Sequence, residues 1–416
     1  MIVNQKILQN FNVYDVFLSR LNSRDKEIVS SLKMMYSIHL PNNELDKKPF
    51  FIVKQLLRFV VKLVTLLFFK SITLNEKSDI HCAILENTNI EVDISKKKDI
   101  LLVKLNKKLT INYKSFTIYK ELFRCMFRLF KDKSLNKRYI LVLLHRLIDY
   151  LLVYHTVDIS DLKTILIEND RTPINLALVH KCKKEGIKTI KYDNWLIDPI
   201  NHNDIYCEYY FYPSLYHKKI IENFDSNKML NYIQGGFLSW DSLNEYTQKN
   251  TSYKEKIIYF SQFGILINQH KEYISDIKKI MDEQERVYEF IVKIHPREDK
   301  KVYHKLLKEF DNIEIIATCS DIYKLIAESD FCFSIFSTIS LEAKHILNNS
   351  YFINYNYNSF DIVNYNDLKL DVIKDRDTLR KVLNNDFRTI SQKEFIKNAN
   401  CKFPNTLESL KKVCDD

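Results

Sequence analysis

The second half of the chain alternates short apolar segments with segments of helical periodicity. Each apolar segment has the length of a buried strand, and a polar turn follows it. A chain of successive strand–helix units forms a parallel sheet, because each helix carries the chain back across the sheet. We therefore predict one Rossmann-like parallel sheet here. Its predicted strands are 256–262, 289–294, 313–316, 331–336 and 351–354.

Residues 160–240 repeat this alternation less regularly. A helix is predicted from Pro173, whose fixed φ suits a first helical turn, and Gly186 is placed to end it. A second helix is predicted from Leu215. This order is typical of a doubly wound α/β domain. The predicted strands are 164–167, 188–192 and 205–212.

A polar stretch after Gly235-Gly236 marks the predicted boundary between two domains. The fold class that we predict is α/β, with two Rossmann-like domains facing across a cleft. The first is the acceptor-side domain, residues 1–240, and the second is the nucleotide-binding domain, residues 250–416. Clefts between domains are the usual place for a ligand site.

Residues 1–155 are predicted to form a helical, basic elaboration of the first domain, with short strands near 81–85 and 100–105. Lys54, Arg58 and Lys62 are spaced four apart, so they share one face of a helix. A basic amphipathic helix can lie on an anionic membrane, and it can equally pack on its own domain with one solvated face. Both interpretations stay open.

Composition excludes several classes of protein. The chain has only four glycines, so neither G-x-G-x-x-G nor a P-loop can be written. Its eight cysteines contain no C-x-x-C pair, which favours reduced thiols in the cytoplasm and gives no zinc site. We predict no metal and no cofactor. The net charge of +10 favours anionic partners such as nucleotide phosphates.

Neither a signal peptide nor a membrane-spanning run is predicted. The first residues lack an apolar core followed by small residues, and the most apolar run, 50–69, contains three basic residues. We expect a cytoplasmic protein, with peripheral contact to the inner face of the cytoplasmic membrane as an open option. We find no motif for binding nucleic acid.

Polar residues follow two of the predicted strands. Strand 289–294 runs into His295-Pro296-Arg297, and strand 331–336 runs into a hydroxyl-rich turn that opens a helix. The carboxyl ends of parallel strands meet at one edge of the sheet, where open α/β sheets bind ligands. A cation, hydroxyls and free backbone N–H groups suit a phosphate. The hydroxyls are those of Ser337, Thr338 and Ser340.

The order of these motifs resembles the C-terminal domain of GT-B-fold glycosyltransferases that build bacterial surface polysaccharides. The resemblance covers about residues 255–356 well and 160–240 loosely. The bacterial sialyltransferase and polysialyltransferase families are the most similar, and CDP-glycerol glycerophosphotransferases and capsule Kdo transferases are also similar. The residues that carry it are His295-Pro296, Asp321, Tyr323, Leu325, Ser329-Asp330 and the run Ser337-Thr338-Ile339-Ser340-Leu341-Glu342-Ala343.

The resemblance implies roles for individual residues. In these families the His-Pro histidine and the serine turn hold the phosphate of the donor nucleotide, and an acidic residue of the N-terminal domain is the base. Carried over, the base is Asp170 or Glu168, with Asp193 at the next strand end as a rival. Glu342 would lie near the ribose or sugar. The donor-binding set is His295, Pro296, Arg297, Ser337, Thr338, Ser340, Glu342 and Gly264.

The expected function is a metal-independent glycosyltransferase acting on a surface glycan acceptor, with a CMP-sialic-type sugar donor as the first choice. The alternatives are a CDP-glycerol-type glycerophosphotransferase and a non-catalytic GT-B scaffold. A nucleic-acid-binding protein is a further alternative; against it, the basic clusters lie in the N-terminal helical part and no RNA- or DNA-binding motif is found.

Overall fold

The structure is a computed structural model in which the described residues form two six-stranded parallel sheets and one antiparallel strand pair. The first sheet uses strands between residues 82 and 234, and the second uses strands between residues 255 and 373. This confirms the predicted α/β fold with two Rossmann-like sheets. The residues that the structure describes are 59, 69–73, 82–85, 100–103, 106–109, 115–131, 137–160, 162–168, 170, 172–193, 205–224, 230–246, 254–262, 267–335, 337–355, 371–399, 402 and 405–415.

The first sheet has the strand order β3-β2-β5-β6-β7-β8, and its neighbouring strands are parallel. β1 and β4 form the separate antiparallel pair. Part of the predicted N-terminal elaboration therefore belongs to the first sheet, because β2 and β3 lie within residues 1–155. The strands are β1 Phe69–Thr73, β2 Cys82–Leu85, β3 Ile100–Val103, β4 Asn106–Leu109, β5 Thr164–Ile167, β6 Lys188–Tyr192, β7 Tyr209–Tyr212 and β8 Asn231–Gln234.

The second sheet has the order β11-β10-β9-β12-β13-β14, which is the 3-2-1-4-5-6 order of a Rossmann sheet. The strand order changes direction at β9: β10 and β11 lie on one side of it, and β12, β13 and β14 lie on the other. Phe260, the last residue of β9, lies opposite Lys293 of β10 and Ser334 of β12, so the three strands end level. The strands are β9 Glu255–Phe260, β10 Tyr288–Lys293, β11 Ile313–Ile316, β12 Phe331–Ser334, β13 Ser350–Ile353 and β14 Val372–Ile373.

Helices connect these strands. The helix predicted from Pro173 begins there, with the Thr172 side chain accepting a hydrogen bond from Asn175 N, and it ends at Gly186 with φ 73°. The helices are α1 Ser115–Lys131, α2 Lys137–Thr156, α3 Pro173–Glu185, α4 Leu215–Phe224, α5 Ile267–Glu283, α6 Lys300–Leu306, α7 Ile322–Ala327, α8 Thr338–Ile346, α9 Arg376–Leu383, α10 Gln392–Ala399, α11 Thr406–Asp415 and a 3-10 helix Leu238–Glu245.

The last helix, α11, follows the second sheet in sequence but packs on the first. Its buried side chains Leu410 and Cys414 share a hydrophobic cluster with Leu166 and Ile190 of the first sheet. Asp241 accepts hydrogen bonds from the first two backbone N–H groups of α11, at 3.3 and 2.9 Å. The C-terminal segment therefore ties the second half of the chain to the first.

The segment after Gly235-Gly236 differs from the polar stretch predicted there. It forms the 3-10 helix, and its Trp240 is fully buried. The Trp240 ring stacks on Phe237 at 4.2 Å and meets the edge of His345 of α8 at 4.7 Å. The residues around Trp240 in the sequence are mostly polar, so the composition of the segment predicts a linker although Trp240 is buried. The domain boundary at residues 240–250 stays a prediction.

Two further observations concern the described residues alone. Six of their cysteines are free thiols, of which five are buried and Cys319 is exposed. None of the described helices combines the length and the apolar character needed to cross a bilayer.

Gly235 is expected to tolerate no side chain. A Cβ there would lie 2.2 Å from the nearest ring carbon of Phe211, which is fully buried. Gly235→Ala should lower the free energy of unfolding by about 1–3 kcal/mol through overpacking. Urea denaturation measures this, and an unchanged midpoint would contradict it. In a Phe211→Leu background the same substitution should cost less than in the wild type, because the smaller side chain makes room.

Candidate active site

His295 lies in a β-turn directly after β10. The turn is closed by Glu298 N, which donates to His295 O at 2.9 Å, and Pro296 occupies the second position, where its fixed φ is favourable. The backbone N–H of Arg297 donates to His295 Nδ1 at 3.1 Å. This contact makes Nδ1 an acceptor, so the neutral ring carries its proton on Nε2. Pro296 and Arg297 are exposed.

Burial lowers the pKa of His295 from its ordinary value near 6.5. The Glu298 carboxylate opposes this shift, while Arg297 and Lys293 add to it. The ring is therefore neutral near pH 7, and it offers a hydrogen-bond donor rather than the full positive charge expected from the sequence. An anion bound at Nε2 would raise the pKa again, because it favours the imidazolium.

The serine turn after β12 is held together by its own hydroxyls. Ser334 Oγ accepts hydrogen bonds from Ser337 N at 3.2 Å and from Ser340 Oγ at 2.6 Å, and Ser334 and Ser340 are buried. Ser337 Oγ caps α8 by accepting from Ile339 N at 3.4 Å. The partly exposed Thr338 begins the helix. Ser340 N donates to Ser337 O at 3.1 Å, so Ser337 N, Ile339 N and Ser340 N all have acceptors within the turn. Ser337 and Ser340 thus support the turn, and the start of α8 offers an anion the positive end of its helix dipole.

The His295 turn and the start of α8 lie on either side of the exit of β9. Neighbouring strands are about 4.8 Å apart, so the exits of β10 and β12 are separated by about 10 Å. The level ends of the three strands place both groups at one edge of the sheet. This is the switch point where open α/β sheets bind ligands. Gly264 lies outside the described residues.

Glu342 lies one turn into α8. Tyr323 of α7 donates its hydroxyl to Glu342 Oε2 at 3.3 Å. Burial raises the pKa of Glu342 to about 7, and the hydrogen bond from Tyr323 opposes this shift. The carboxyl group thus keeps its proton to a higher pH than an ordinary glutamate.

The three acidic candidates lie together at the exits of β5 and β6, around a buried lysine that sequence reasoning missed. Lys191 Nζ lies 2.9 Å from Asp193 Oδ1 and 3.9 Å from Asp170 Oδ1. It also donates to the backbone carbonyl of Glu168 at 2.9 Å. Lys191 lies within strand β6. The one feature of the sequence that could have identified it is a charged residue between apolar neighbours in a predicted strand.

The two aspartates differ in their remaining contacts. Asp193 Oδ2 accepts a hydrogen bond from the Tyr210 hydroxyl at 2.7 Å. Asp170 Oδ2 accepts from the backbone N–H of Tyr206 at 2.7 Å, while its Oδ1 has no hydrogen-bond partner among the described residues. Both aspartates are buried. Asp193 is therefore fully engaged, and Asp170 retains one acceptor oxygen beside the lysine.

Comparison with known proteins shows the fold. No protein-family profile and no curated protein sequence matches the chain. A candidate UDP-N-acetylglucosamine 2-epimerase from Listeria monocytogenes is similar in structure, with a TM-score of 0.51 and 12% identity over 81% of this chain and 95% of that one. The wall teichoic acid polymerase TagF has a TM-score of 0.44 and 15% identity over 88% of this chain and 96% of that one. The chain has the two-sheet GT-B architecture.

Replacing Glu342 should change how stability depends on pH. The folded-state pKa of about 7 lies above the unfolded value of 4.5, so this group's contribution to stability is present below pH 4.5 and is lost as pH rises through 7. Glu342→Gln, which carries no charge, should be more stable than wild type at pH 8 by about 1–3 kcal/mol. The difference should shrink towards pH 4.5.

Urea denaturation at several pH values measures this difference. Glu314→Gln, at an exposed position of β11, is the matched control and should show no such trend. A Glu342→Gln variant that is less stable than wild type at pH 8 would contradict a raised pKa.

Proposed function

We propose that this protein is an enzyme that binds a nucleotide-activated donor at the exits of β9, β10 and β12. It transfers the activated group to a hydroxyl of a surface glycan. The observation that carries this proposal is the pairing of the His295 turn with the start of α8 across the switch point of the second sheet. The His295 ring offers an N–H donor to this edge, and the start of α8 offers the positive end of its helix dipole, both of which suit phosphate oxygens.

The chemistry of such a transfer fits these donors. Departure of a nucleotide builds negative charge on its phosphate, and donors already held in place stabilise that charge without reorganisation. His295 Nε2–H is such a donor, and the positive end of the α8 dipole lies on the other side of the same edge. A proton taken up by His295 as the charge develops would strengthen the contact. The proposed transfer needs no metal, since the protein itself supplies these groups.

The identity of the donor is open in this proposal. A CMP-sialic-type sugar is our first choice from the sequence motifs, and a CDP-glycerol-type donor is the alternative. The contacts described above address phosphates and not a base, so they favour neither. A UDP-sugar joins the candidates, because a protein of this fold is described as a candidate UDP-N-acetylglucosamine 2-epimerase. A non-catalytic scaffold of the same fold remains the competing proposal.

We propose Asp170 as the base that takes the acceptor proton, with Glu168 and Asp193 as rivals. Asp170 Oδ1 still has an acceptor position, whereas Asp193 uses both oxygens in hydrogen bonds. Asp170 is buried, so the acceptor hydroxyl has to reach it through an opening of that edge. Asp170→Asn should abolish turnover at saturating donor while leaving donor affinity unchanged.

Donor binding is the first test. Among CMP, CDP, UDP and GDP, at least one should raise the thermal midpoint, since a ligand at 100 times its dissociation constant adds about 2.7 kcal/mol of stability. His295→Ala should lose that shift because it removes the Nε2–H donor. His304→Ala, an exposed histidine of α6, is the matched control and should keep it.

The same measurement separates the alternatives. A shift with CMP but not UDP favours the sialic-type donor, and a shift with UDP alone rules it out. A preference for CDP over CMP favours the CDP-glycerol type. If no nucleotide at millimolar concentration shifts the midpoint, the proposed donor site is wrong.

Peripheral membrane contact also stays a proposal. Lys54, Arg58 and Lys62 lie outside the described residues. Helix α1 offers a second surface, where the side chains of Phe123 and Phe127 are 57% and 65% exposed on a helix with several basic residues. Aromatic and basic side chains on one helix suit an anionic lipid surface.

Sedimentation with phosphatidylcholine vesicles containing phosphatidylglycerol tests this surface. Replacing both Phe123 and Phe127 by Ser should reduce the bound fraction at low salt, because it removes the apolar contact. Leu215→Ser, which alters an equally exposed leucine on α4, should leave it unchanged. Equal binding by all three proteins would exclude α1 as the contact.

A further inference from the structure

The carboxylate of Glu298 collects three hydrogen bonds directly behind His295. Its Oε2 accepts from the Ser261 hydroxyl and from His295 N, the latter at 3.1 Å. Its Oε1 accepts from the Tyr303 hydroxyl at 3.0 Å. His295 N also donates to Ser261 Oγ at 2.9 Å, so the four residues form one closed network.

These contacts join three separate elements. Ser261 is the first residue after β9, His295 and Glu298 form the turn after β10, and Tyr303 lies in α6. Tyr303 is 1% exposed, and burial raises its pKa, so its hydroxyl stays protonated and can donate. The carboxylate therefore connects the turn to the neighbouring strand and to a fixed point in the core.

We infer that Glu298 is a positioning residue for the phosphate contact of His295. This inference rests on the proposed function and deepens it. The carboxylate holds the backbone of His295 from behind, and the turn then holds the ring through Arg297 N and His295 Nδ1. The imidazole ring is thereby held in one position and in the Nε2–H tautomer. A hydrogen-bond donor that is fixed before the reaction needs both.

The sign of the charge makes the inference testable. A carboxylate near a phosphate site repels the ligand, so if charge alone mattered, its removal would tighten nucleotide binding. If Glu298 positions His295, its removal weakens binding in spite of the relieved repulsion. Glu298 also favours protonation of the His295 ring, so its removal lowers the pKa of that ring further.

The experiment compares wild type, Glu298→Ala, Glu298→Gln and Glu289→Gln by calorimetric titration with the nucleotide that shifts the wild-type midpoint. Glu289 is the control, because it lies near the start of β10, at the end away from the His295 turn, and pairs with Lys256 at 3.8 Å. Glu298→Ala should weaken binding tenfold or more. Glu298→Gln, which keeps an acceptor for His295 N, should lie between wild type and Ala, and Glu289→Gln should match wild type.

Imidazole NMR of the ligand-free proteins gives a readout that does not depend on the nucleotide. His295 should titrate at a lower pH in Glu298→Gln than in wild type, with the Nε2–H tautomer kept, whereas Glu298→Ala should lose that tautomer preference. Unchanged titration and unchanged affinity in both variants would overturn the inference, as would tighter binding by Glu298→Ala.

The two proposals can fail separately. If wild type binds no nucleotide, the proposed function is wrong, while the NMR titration still decides whether Glu298 holds His295. If wild type binds and neither Glu298 variant differs from it, the positioning role alone is wrong. Should Glu298→Ala fail to fold, the Gln variant keeps both measurements available.

Discussion

The parallel register of β9, β10 and β12 is the constraint on which the candidate site depends. Phe260, Lys293 and Ser334 lie side by side, so the next residues of all three strands leave the sheet at the same level. A shift of one residue in β10 would turn His295 towards the other face of the sheet, because side chains alternate along a strand. Phe290 and Val292 pack in one hydrophobic cluster and Ile291 in another, so both faces of β10 are buried and core packing sets its position in the sheet. The chemistry of the edge is therefore a consequence of core packing.

The two sheets use their carboxyl edges differently. In the second sheet, the edge offers the N–H of a neutral imidazole, and the Lys293 ammonium beside it donates to the carbonyls of Ile294 and Ala317. In the first sheet, the edge holds a buried lysine between two buried aspartates. Removing one partner of a buried ion pair leaves the other charge uncompensated, so the lysine and the two aspartates depend on one another. A role for it in proton transfer requires that this unit open when the acceptor binds.

Much of the fold could be predicted, because the strands of the second sheet are short apolar runs with clear turn residues between them. Strand 313–316 and the helix from Pro173 lie where the pattern places them. Docking of α11 on the first sheet could not be predicted, since a contact between residues 410 and 166 leaves no local pattern. The positions of His295 and the start of α8 followed from strand order. The hydrogen bond of the Ser340 hydroxyl within the turn and the position of Lys191 beside Asp170 and Asp193 depend on tertiary structure, so residue type alone does not predict them.

Scarcity of glycine limits the ways in which this chain could bind the proposed phosphate. A glycine-rich loop brings backbone N–H groups close to a ligand because no Cβ stands in the way. This sequence has no such loop, so the proposed phosphate at the second sheet would meet one imidazole and the start of a serine-capped helix. Holding a side chain in one rotamer costs conformational entropy, and an imidazole can rotate. A site of this kind therefore depends on the residues behind it, and the ring of hydrogen bonds around Glu298 supplies the rigidity that a glycine-rich loop obtains from its own backbone.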